Sequence, residues 1–376
     1  DKVIIKSQNV FIISDTLLKK NKVDKNKIVI SIFIDGLSFL NENYNFKEFA
    51  PNIFNFFSKG KILSKHYSNS EWTLPSFASI MTGKYTHNHG IFHPQANHDV
   101  SLKNKIMPEF FSENNFITFM CNSGWRSNPG YGYAKGFDKS VYKKEGDSKF
   151  IINETIDQIN AFKSYNNFIF VGINDLHHDL NISPPFNLQI NTDPKLIYAD
   201  KFDQGIKSVE EKYNKSKIDI LKYKIFALDQ NLSILFNYLE KNFKNKFILS
   251  LCTDHGHAFL DNDNDIISKS RTSIPFFIRS DLDNKKDKFP VEEINNTSNV
   301  DILPTLLNLS DIEQNEPQTF FDGNNMLSQD YEDNEILIES IYPMKKYEAK
   351  IINNNDILTC NIKNKIDYNG EIILQE

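Results

Sequence analysis

The sequence predicts an α/β protein in which helices flank a mostly parallel central sheet, with a small antiparallel sheet near the C-terminus. Two observations carry this prediction. Short apolar runs rich in β-branched residues alternate with longer segments whose apolar positions recur at helical spacing, which is typical of parallel strands joined by helices. The last part of the chain alternates apolar and polar residues, as in YEAKIINNNDILTCNI, which indicates antiparallel strands.

Five apolar runs are predicted to be buried strands, because they have the length and composition of strands covered on both faces. They are residues 28–34 (IVISIFI), 116–121 (FITFMC), 167–173 (NFIFVGI), 246–252 (KFILSLC) and 275–278 (PFFI). Helical spacing is found in residues 149–163, 217–242 and 299–308. In the last segment, Asp301 near the start and Pro304 in the first turn suit a capped helix.

These elements predict three parts of the chain. Residues 1–27 form an N-terminal extension, residues 28–330 form the α/β domain, and residues 331–376 form a C-terminal subdomain packed on the same core. Residues 179–216 are polar and contain prolines, and we interpret them as a long insertion over the carboxyl edge of the sheet.

Composition limits the classes of partner. The 43 lysines and arginines are interspersed among 49 acidic residues, for a net charge of −6, so no basic footprint for nucleic acid is predicted. No apolar segment reaches the length of a membrane span. Three cysteines without a CxxC pair indicate reduced thiols and favour a reducing compartment such as the cytoplasm. The sequence starts at Asp1 rather than methionine, so a periplasmic or envelope location stays open if the N-terminus was trimmed.

Carboxylates follow three of the predicted strands, at Asp35, Asp175 and Asp254. Ligands of open α/β sheets bind beyond the carboxyl ends of the strands. Each aspartate alone has the alternative role of capping a helix. His255 and His257 follow the third carboxylate, and together these groups offer the mixed oxygen and nitrogen ligands of a divalent metal.

The stretch SEWTLPSFASIMTGKYTHNHG, residues 70–90, combines a hydroxyl, a proline and a helix of small residues. Thr73 stands two residues before Pro75, at the predicted start of this helix. A helix N-terminus offers free backbone N–H groups and a favourable dipole to an anion. His87 and His89 follow the helix, either as contacts at the edge of a site or as residues that shape the turn.

In this order the motifs resemble the alkaline phosphatase superfamily, and specifically its sulfatase-like branch. The resemblance runs from about residue 28 to the C-terminus. The matching segments are IFIDG with Asp35, Thr73-Leu74-Pro75-Ser76, TGKYTHNHG, Gly136-Phe137-Asp138, Asp254-His255-Gly256, RTSIPFFI and VDILPTLLNL.

Three positions depart from the sulfatase pattern. Sulfatases carry a cysteine or serine that becomes formylglycine at the position of Thr73, and an arginine at the position of Phe77. Gly36 replaces a second aspartate. These departures from the sulfatase pattern disfavour sulfate-ester hydrolysis. A threonine here resembles the phosphodiesterases of the superfamily and the bacterial enzymes that transfer phosphoethanolamine or phosphoglycerol to glycans and lipids.

The resemblance implies a metal centre and a covalent intermediate. Asp35, Asp254, His255 and the oxygen of Thr73 would surround one divalent ion, for which Zn²⁺ or Mn²⁺ is expected. Thr73 would act as the nucleophile and form a phosphothreonine. Asp175 is a candidate ligand of a second ion, so one or two metal sites are expected.

The remaining candidates are histidines and arginines. His178 or His257 would protonate the leaving oxygen as general acid, or bind the second ion with Asp175. His177 is a candidate substrate contact, with a core or surface role as the alternative. Arg126 would bind phosphate through its guanidinium fork. Arg271 is a further substrate candidate, with a structural ion pair as the alternative.

The predicted function is a metal-dependent phosphotransferase. It would move phosphoethanolamine, phosphoglycerol or a phosphoramidate-like group from a phospholipid or nucleotide-activated donor to a glycan or similar hydroxyl acceptor. The alternatives are a hydrolytic phosphodiesterase or phosphonate monoesterase with the same site, and an inactive sulfatase-like binding domain.

Overall fold

The structure is a computed structural model. It describes residues 20–23, 26–39, 45–94, 99–100, 103–144, 146–177, 211–263, 265–283, 296–313, 316–317, 320–328, 331, 335–353, 356–367, 371 and 373. His178, most of the predicted N-terminal extension and most of the predicted insertion lie outside these residues.

Within the described part of the chain, eight strands form the main sheet, in the order β4-β3-β5-β1-β6-β7-β2-β8. Their bounds are β1 Ile28–Ile34, β2 Lys61–Tyr67, β3 Phe116–Asn122, β4 Lys139–Tyr142, β5 Asn166–Ile173, β6 Phe247–Cys252, β7 Ser273–Ser280 and β8 Thr297–Ser298. A second sheet has the order β11-β10-β9, with β9 Ile336–Ser340, β10 Lys346–Asn353 and β11 Asp356–Lys365. The mixed α/β class with a mostly parallel sheet and a small antiparallel sheet is confirmed.

Nine α-helices lie in the described residues. They are α1 Phe46–Phe49, α2 Pro51–Phe57, α3 Thr73–Thr82, α4 Thr86–His89, α5 Met107–Glu113, α6 Ser148–Ala161, α7 Lys215–Asn242, α8 Lys269–Thr272 and α9 Ile302–Leu309. None of the helices in this part of the chain combines the length and apolarity needed to cross a bilayer.

Strand β1 is central and pairs in parallel with β5 and β6. Ile34 aligns with Ile173 of β5, and Phe33 with Cys252 of β6, so the three strands end at the same edge. Strand β7 runs antiparallel to both β6 and β2. The residues that follow β1, β5 and β6 therefore share one rim of the sheet.

Both faces of the sheet are covered. Ile30 and Ile32 of β1 belong to one core cluster, together with apolar residues of α6 and α7. Val29 and Phe33 belong to the opposite cluster, together with residues of α3, α5 and α9. This alternation explains why β1 is apolar at nearly every position, as expected for a strand buried on two faces.

The small sheet is attached next to the start of α3. The N–H of Glu339 donates to the carbonyl of Asn69 (3.0 Å), and the Asn69 amide donates to the carbonyl of Leu337 (3.0 Å). Strand β9 thus lies beside the segment that leads into α3.

Candidate active site

Three elements bring the predicted reactive groups together. Asp35 follows β1, the pair Asp254 and His255 follows the neighbouring strand β6, and Thr73 is the first residue of α3. Because β1 and β6 are adjacent and parallel, their ends deliver the carboxylates to one point, and α3 is packed over it through the cluster that contains Leu74.

Asp35, Asp254 and His255 are buried, and one ligand atom of each lies within 4.8 Å of the others. His255 Nε2 is 3.4 Å from Asp254 Oδ2 and 3.9 Å from Asp35 Oδ1. His255 Nδ1 lies 2.7 Å from the Gly256 carbonyl. Since a carbonyl only accepts, Nδ1 carries the proton and the lone pair of a neutral His255 lies on Nε2. The ring is thus oriented as a ligand.

The two carboxylates are only partly satisfied by the protein. Asp254 Oδ1 accepts the backbone N–H groups of Gly36 (3.1 Å) and His255 (2.9 Å). Asp254 Oδ2 and Asp35 Oδ1 are buried and have no hydrogen-bond partner among the described residues. Two buried carboxylate oxygens beside an imidazole lone pair are costly on their own. The donor set therefore fits a divalent cation.

Electrostatics agree with this interpretation. The pKa of Asp35 is raised well above its ordinary value, first by burial and then by the charge of Asp254, whereas the hydrogen bond from Thr73 lowers it. Two like charges so close together disfavour the doubly ionised state. A cation between them would remove that repulsion.

The Thr73 hydroxyl lies at the same cluster. Its Oγ1 is 3.3 Å from His255 Nε2 and 3.5 Å from Asp35 Oδ2, and the residue is 5% exposed. The first turn of a helix leaves backbone N–H groups without partners inside the helix. Thr73 thus combines a hydroxyl, two candidate proton or metal partners and the positive end of a ten-residue helix.

A buried polar network fixes α3 to the Asp254 loop. The Ser76 hydroxyl donates to the Asp254 carbonyl (2.7 Å) and accepts from the Asn299 amide (3.0 Å). Asn299 also donates to the Thr253 carbonyl (3.1 Å) and contacts His66 Nε2 (3.1 Å). Burial lowers the pKa of His66 to about 3, so His66 is a neutral structural residue.

Glu71, two residues before Thr73, connects three elements. Its carboxylate accepts the hydroxyls of Ser340 and Ser70, both at 2.8 Å. The guanidinium of Arg271 donates to the Glu71 carbonyl, and the Arg271 carbonyl accepts the N–H of Gly256 (2.7 Å). Burial raises the pKa of Glu71 and lowers that of Arg271 to about 10. Arg271 thus connects the segment before Thr73 with the loop after Asp254, which agrees with the structural alternative for this residue.

A family model described as Sulfatase matches residues 27–312, well over half of the chain. The chain belongs to the sulfatase family. It is thereby an enzyme of the alkaline phosphatase superfamily. No curated protein sequence matches it.

Solved structures of the same fold are distant in sequence. Ps i-CgsB in complex with k-i-k-neocarrahexaose superposes with a TM-score of 0.64 at 16% identity, over 90% of this chain and 84% of that chain. A 2-O GAG sulfatase gives 0.64 at 16% identity, over 90% and 83%. The C-terminal periplasmic domain of EcEptC from Escherichia coli gives 0.62 at 12% identity, over 85% and 91%. A structure of that domain in complex with Zn gives 0.62 at 11% identity, over 85% and 91%.

This sulfatase-family chain buries Phe77 in its core. The ring packs against Phe33, Tyr133 and Phe170, with centroid distances of 4.8, 4.6 and 5.6 Å. The helix face that carries Phe77 is therefore committed to packing rather than to binding an anion.

His257 lies beside the cluster. A Cβ on Gly36 would come within 2.9 Å of His257 Nε2, and Gly36 has a φ of +75°. The site thus needs glycine next to Asp35, because the imidazole occupies the space of a side chain. The ring stacks on Phe259 at 4.7 Å, which holds it in this position.

Asp175 is in a different situation. Its carboxylate accepts the N–H of Ser148 at the start of α6 (3.0 Å to Oδ1) and the Ser148 hydroxyl. Burial raises its pKa to about 6. Asp175 lies outside the group of metal-ligating atoms found in the described residues. Its contacts favour the alternative role, a strand-end aspartate that anchors a helix.

The remaining candidates are spread around the rim. The Lys224 ammonium donates to the His177 carbonyl (3.4 Å), which ties the residue after Leu176 to α7. Arg126 lies in the loop after β3 and donates to the Tyr131 hydroxyl. His89 contacts Ser79 (3.2 Å) and accepts the N–H of Ile91 (3.0 Å), so it shapes the turn after α3, whereas His87 contacts Glu339 (3.4 Å).

Four further residues support the site, and the sequence assigns none of them this role. They are Glu71, Ser76, Asn299 and His66. Glu71 and Ser76 flank Thr73 in the same stretch, but nothing in their spacing distinguishes a buried support from a surface polar residue. Asn299 and His66 are brought in by β8 and β2, whose pairing is long-range.

Proposed function

We propose that this sulfatase-family enzyme is a metal-dependent phosphotransferase. It would use Thr73 to move a small phospho-substituent, such as phosphoethanolamine, phosphoglycerol or a phosphoramidate-like group, to a hydroxyl of a glycan. The observation that carries the proposal is the position of Thr73 Oγ1, 3.3 Å from His255 Nε2 and 3.5 Å from Asp35 Oδ2. A hydroxyl in such a cluster is placed to become a nucleophile.

Asp35, Asp254 and His255 would hold the metal, with Thr73 completing the set. A divalent ion bound there supplies positive charge that lowers the pKa of a neighbouring hydroxyl and offsets charge on phosphoryl oxygens. The uncompensated oxygens of Asp35 and Asp254 support this assignment. Zn²⁺ or Mn²⁺ suits one imidazole with carboxylate and hydroxyl oxygens.

In the first half-reaction Thr73 Oγ1 attacks phosphorus, the Oγ1–P bond forms and the bond from phosphorus to the leaving oxygen breaks. Asp35 Oδ2 accepts the hydrogen bond of the Thr73 hydroxyl, so it is placed to take the proton that Thr73 loses. The N–H groups at the start of α3 would stabilise the phosphoryl oxygens. His257 would give a proton to the leaving oxygen, because its ring lies over Gly36 beside Asp35.

In the second half-reaction an acceptor hydroxyl attacks the phosphothreonine. The Thr73 Oγ1–P bond breaks, Thr73 recovers a proton, and the acceptor loses one. A glycan acceptor is supported by the related fold of Ps i-CgsB, which was solved with a bound neocarrahexaose. Water in the place of the glycan would give the phosphodiesterase alternative.

The identities of residues 73 and 77 support phosphoryl transfer over sulfate-ester hydrolysis. Threonine cannot become formylglycine, and the Phe77 ring is buried among aromatic neighbours. Sulfate esters therefore serve as the comparison substrates in the test.

The experiment is intact-mass analysis of the metal-loaded protein after incubation with phosphoethanolamine, phosphoglycerol and aryl phosphodiester donors. We expect an adduct with the mass of the phospho-substituent, located on Thr73 by peptide mapping and missing in Thr73→Ala. An aryl sulfate should give neither adduct nor product. Turnover of the sulfate ester with no phospho-adduct, or full phosphodiester turnover by Thr73→Ala, would contradict the proposal.

A further inference from the structure

The loop after β3 carries an exposed aromatic and cationic stack. Trp125 is 62% exposed. The guanidinium carbon of Arg126 lies 4.5 Å from the Trp125 ring centroid and 5.7 Å from that of Tyr131, and Arg126 donates to the Tyr131 hydroxyl. One face of the indole is thus covered by Arg126. Aromatic side chains contribute strongly when a complex buries them, so the open indole and the neighbouring guanidinium together are a candidate binding surface.

The loop is held rigidly. The Asn122 amide donates to the Ser127 carbonyl (2.6 Å), and the Gly124 N–H donates to the Asn122 side chain (2.8 Å). The Asn128 amide donates to the Trp125 carbonyl. A platform fixed in this way loses little conformational entropy when a ligand stacks on it.

The stack lies at the same rim as the candidate active site. The Asn174 N–H donates to Ser123 Oγ (3.2 Å), which connects the loop to the end of β5. In the sheet that the described residues form, β5 lies between β3 and β1. The ends of β3 and β1 are therefore about 10 Å apart, at a spacing of about 4.8 Å per strand. A short oligosaccharide can cover that distance from Asp35.

The positive charge of Arg126 indicates which class of ligand the stack can bind. Among the described residues, the Arg126 guanidinium has aromatic neighbours and the Tyr131 hydroxyl as partners, and no carboxylate pairs with it. A guanidinium without a carboxylate partner can bind a carboxylate, sulfate or phosphate group of a ligand. A saccharide ring stacks its apolar face on an indole and keeps its hydroxyls in water, which suits an indole with one open face.

We propose that Trp125 and Arg126 bind a negatively charged saccharide unit of the acceptor glycan, with the sugar ring on Trp125 and its anionic group on Arg126. The link to an acceptor rests on the proposed phosphotransferase function. Binding itself does not depend on turnover.

The test is fluorescence titration of the full chain. The protein has two tryptophans, so Trp72→Phe leaves Trp125 as the single reporter. The probes are tetragalacturonate and a chondroitin sulfate tetrasaccharide, with maltotetraose as the neutral probe, UMP as the nucleotide probe and sodium sulfate as the charge control. We expect a saturable change in Trp125 emission with an acidic tetrasaccharide. Affinity should be at least tenfold weaker for maltotetraose, and at least tenfold weaker for the acidic probe in Arg126→Gln.

Variants complete the test. Ile234→Ala, a change at a 56% exposed apolar residue of α7, should leave the affinity unchanged. No saturation with either acidic tetrasaccharide, equal affinity for maltotetraose, or tighter binding of UMP would overturn the proposal. Formation of the Thr73 adduct from the donor alone is measured in parallel on the wild-type chain. Missing adducts in a chain that still binds the acidic probe would refute the phosphotransferase function and leave the saccharide site standing.

Discussion

The neighbouring strands β1, β5 and β6 each end in an aspartate in the sequence, but the structure treats the aspartate after β5 differently from the other two. At the ends of β1 and β6, Asp35 and Asp254 each keep a buried oxygen without a hydrogen-bond partner among the described residues. At the end of β5, the Asp175 carboxylate is occupied by the N–H and hydroxyl of Ser148. An apolar strand followed by aspartate therefore does not define a metal ligand. The deciding property is whether the protein itself satisfies the carboxylate.

One residue, Ser148, satisfies the Asp175 carboxylate, and it lies 27 positions earlier in the chain. Ser148 is the first residue of α6, and the Asn231 amide of α7 donates to its hydroxyl (3.0 Å). Asp35 and Asp254 face each other and a histidine instead. The first arrangement stabilises helix packing. The second leaves buried negative charge that a bound cation would offset.

We expect the largest effect from Thr73, which lies beside the carboxylates that lack hydrogen-bond partners. Thr73→Ala removes the nucleophile, so turnover of a phosphodiester should fall at least about a thousandfold, while the fold is kept. The matched control is Thr82→Ala on the same helix, whose hydroxyl donates to the Ala78 carbonyl (2.7 Å) and should not affect turnover per folded molecule. A Thr73→Ala protein with wild-type turnover in steady-state kinetics would place the reaction elsewhere.

A smaller loss is expected from Glu71, which positions Thr73 without reaching the cluster. Glu71→Ala leaves the Ser340 and Ser70 hydroxyls without their acceptor. Because a misplacement of about 1 Å costs on the order of a hundredfold in rate, we expect kcat to fall about ten- to a hundredfold. Glu71→Gln keeps an acceptor oxygen for these hydroxyls, so this variant should retain most of the wild-type kcat. A purely global destabilisation would instead lower the folded fraction and leave kcat per folded molecule unchanged, which urea titration separates.

We expect Asp175 to contribute to the free energy of unfolding rather than to metal binding. Asp175→Asn weakens the hydrogen bonds from Ser148, so the free energy of unfolding should fall by about 1–3 kcal/mol. Chemical denaturation at neutral pH measures this loss. Should Asp175→Asn leave stability unchanged and abolish activity, the helix-anchoring role would be wrong and the second-metal interpretation would gain support.

The effect that is smallest at neutral pH is the pH-dependent stability from His66. Its folded pKa of about 3 is below its ordinary value of 6.5, so the unfolded chain binds an extra proton when the pH falls below 6.5. Stability from this residue is therefore complete above pH 6.5 and is lost toward pH 3, by about 1.4 kcal/mol per pH unit. Buried carboxyls such as Asp301, with a pKa raised to about 7, act in the opposite direction.

The His66→Gln variant isolates this slope, because the carboxyl contributions are common to both proteins and cancel in the difference. Urea unfolding of wild type and variant between pH 7 and pH 4 should show a shallower acid loss in the variant. Parallel curves for the two proteins would mean that His66 does not stay neutral in the folded state.

The central strands were predictable because a strand buried on two faces is a continuous apolar run. The predicted runs at 28–34 and 116–121 match β1 and β3 within one residue. Strand β2 was missed, since the exposed Ser64 and Lys65 interrupt it and its burial follows from pairing with β7. The antiparallel direction of β7 was not predictable either, because a short apolar run carries no signal of direction.

The same limit applies to the site. Asp35, Asp254 and His255 were predicted from residue types at strand ends, and the resemblance to the sulfatase-like branch added Thr73 to the set. The fold brings all four together. Asp175 has the same local pattern, and only a contact with Ser148 sets it apart. Glu71 and Asn299 act through long-range hydrogen bonds, for which a single sequence contains no pattern.

Metal content tests the central claim most directly. Wild type, Asp254→Asn and Asp175→Asn are loaded with Zn²⁺ or Mn²⁺, desalted and measured by native mass spectrometry and elemental analysis. We predict one tightly bound ion per wild-type chain, retained in Asp175→Asn and lost in Asp254→Asn. Retention of the ion in Asp254→Asn, or its loss in Asp175→Asn, would contradict the assignment of the metal centre to the ends of β1 and β6.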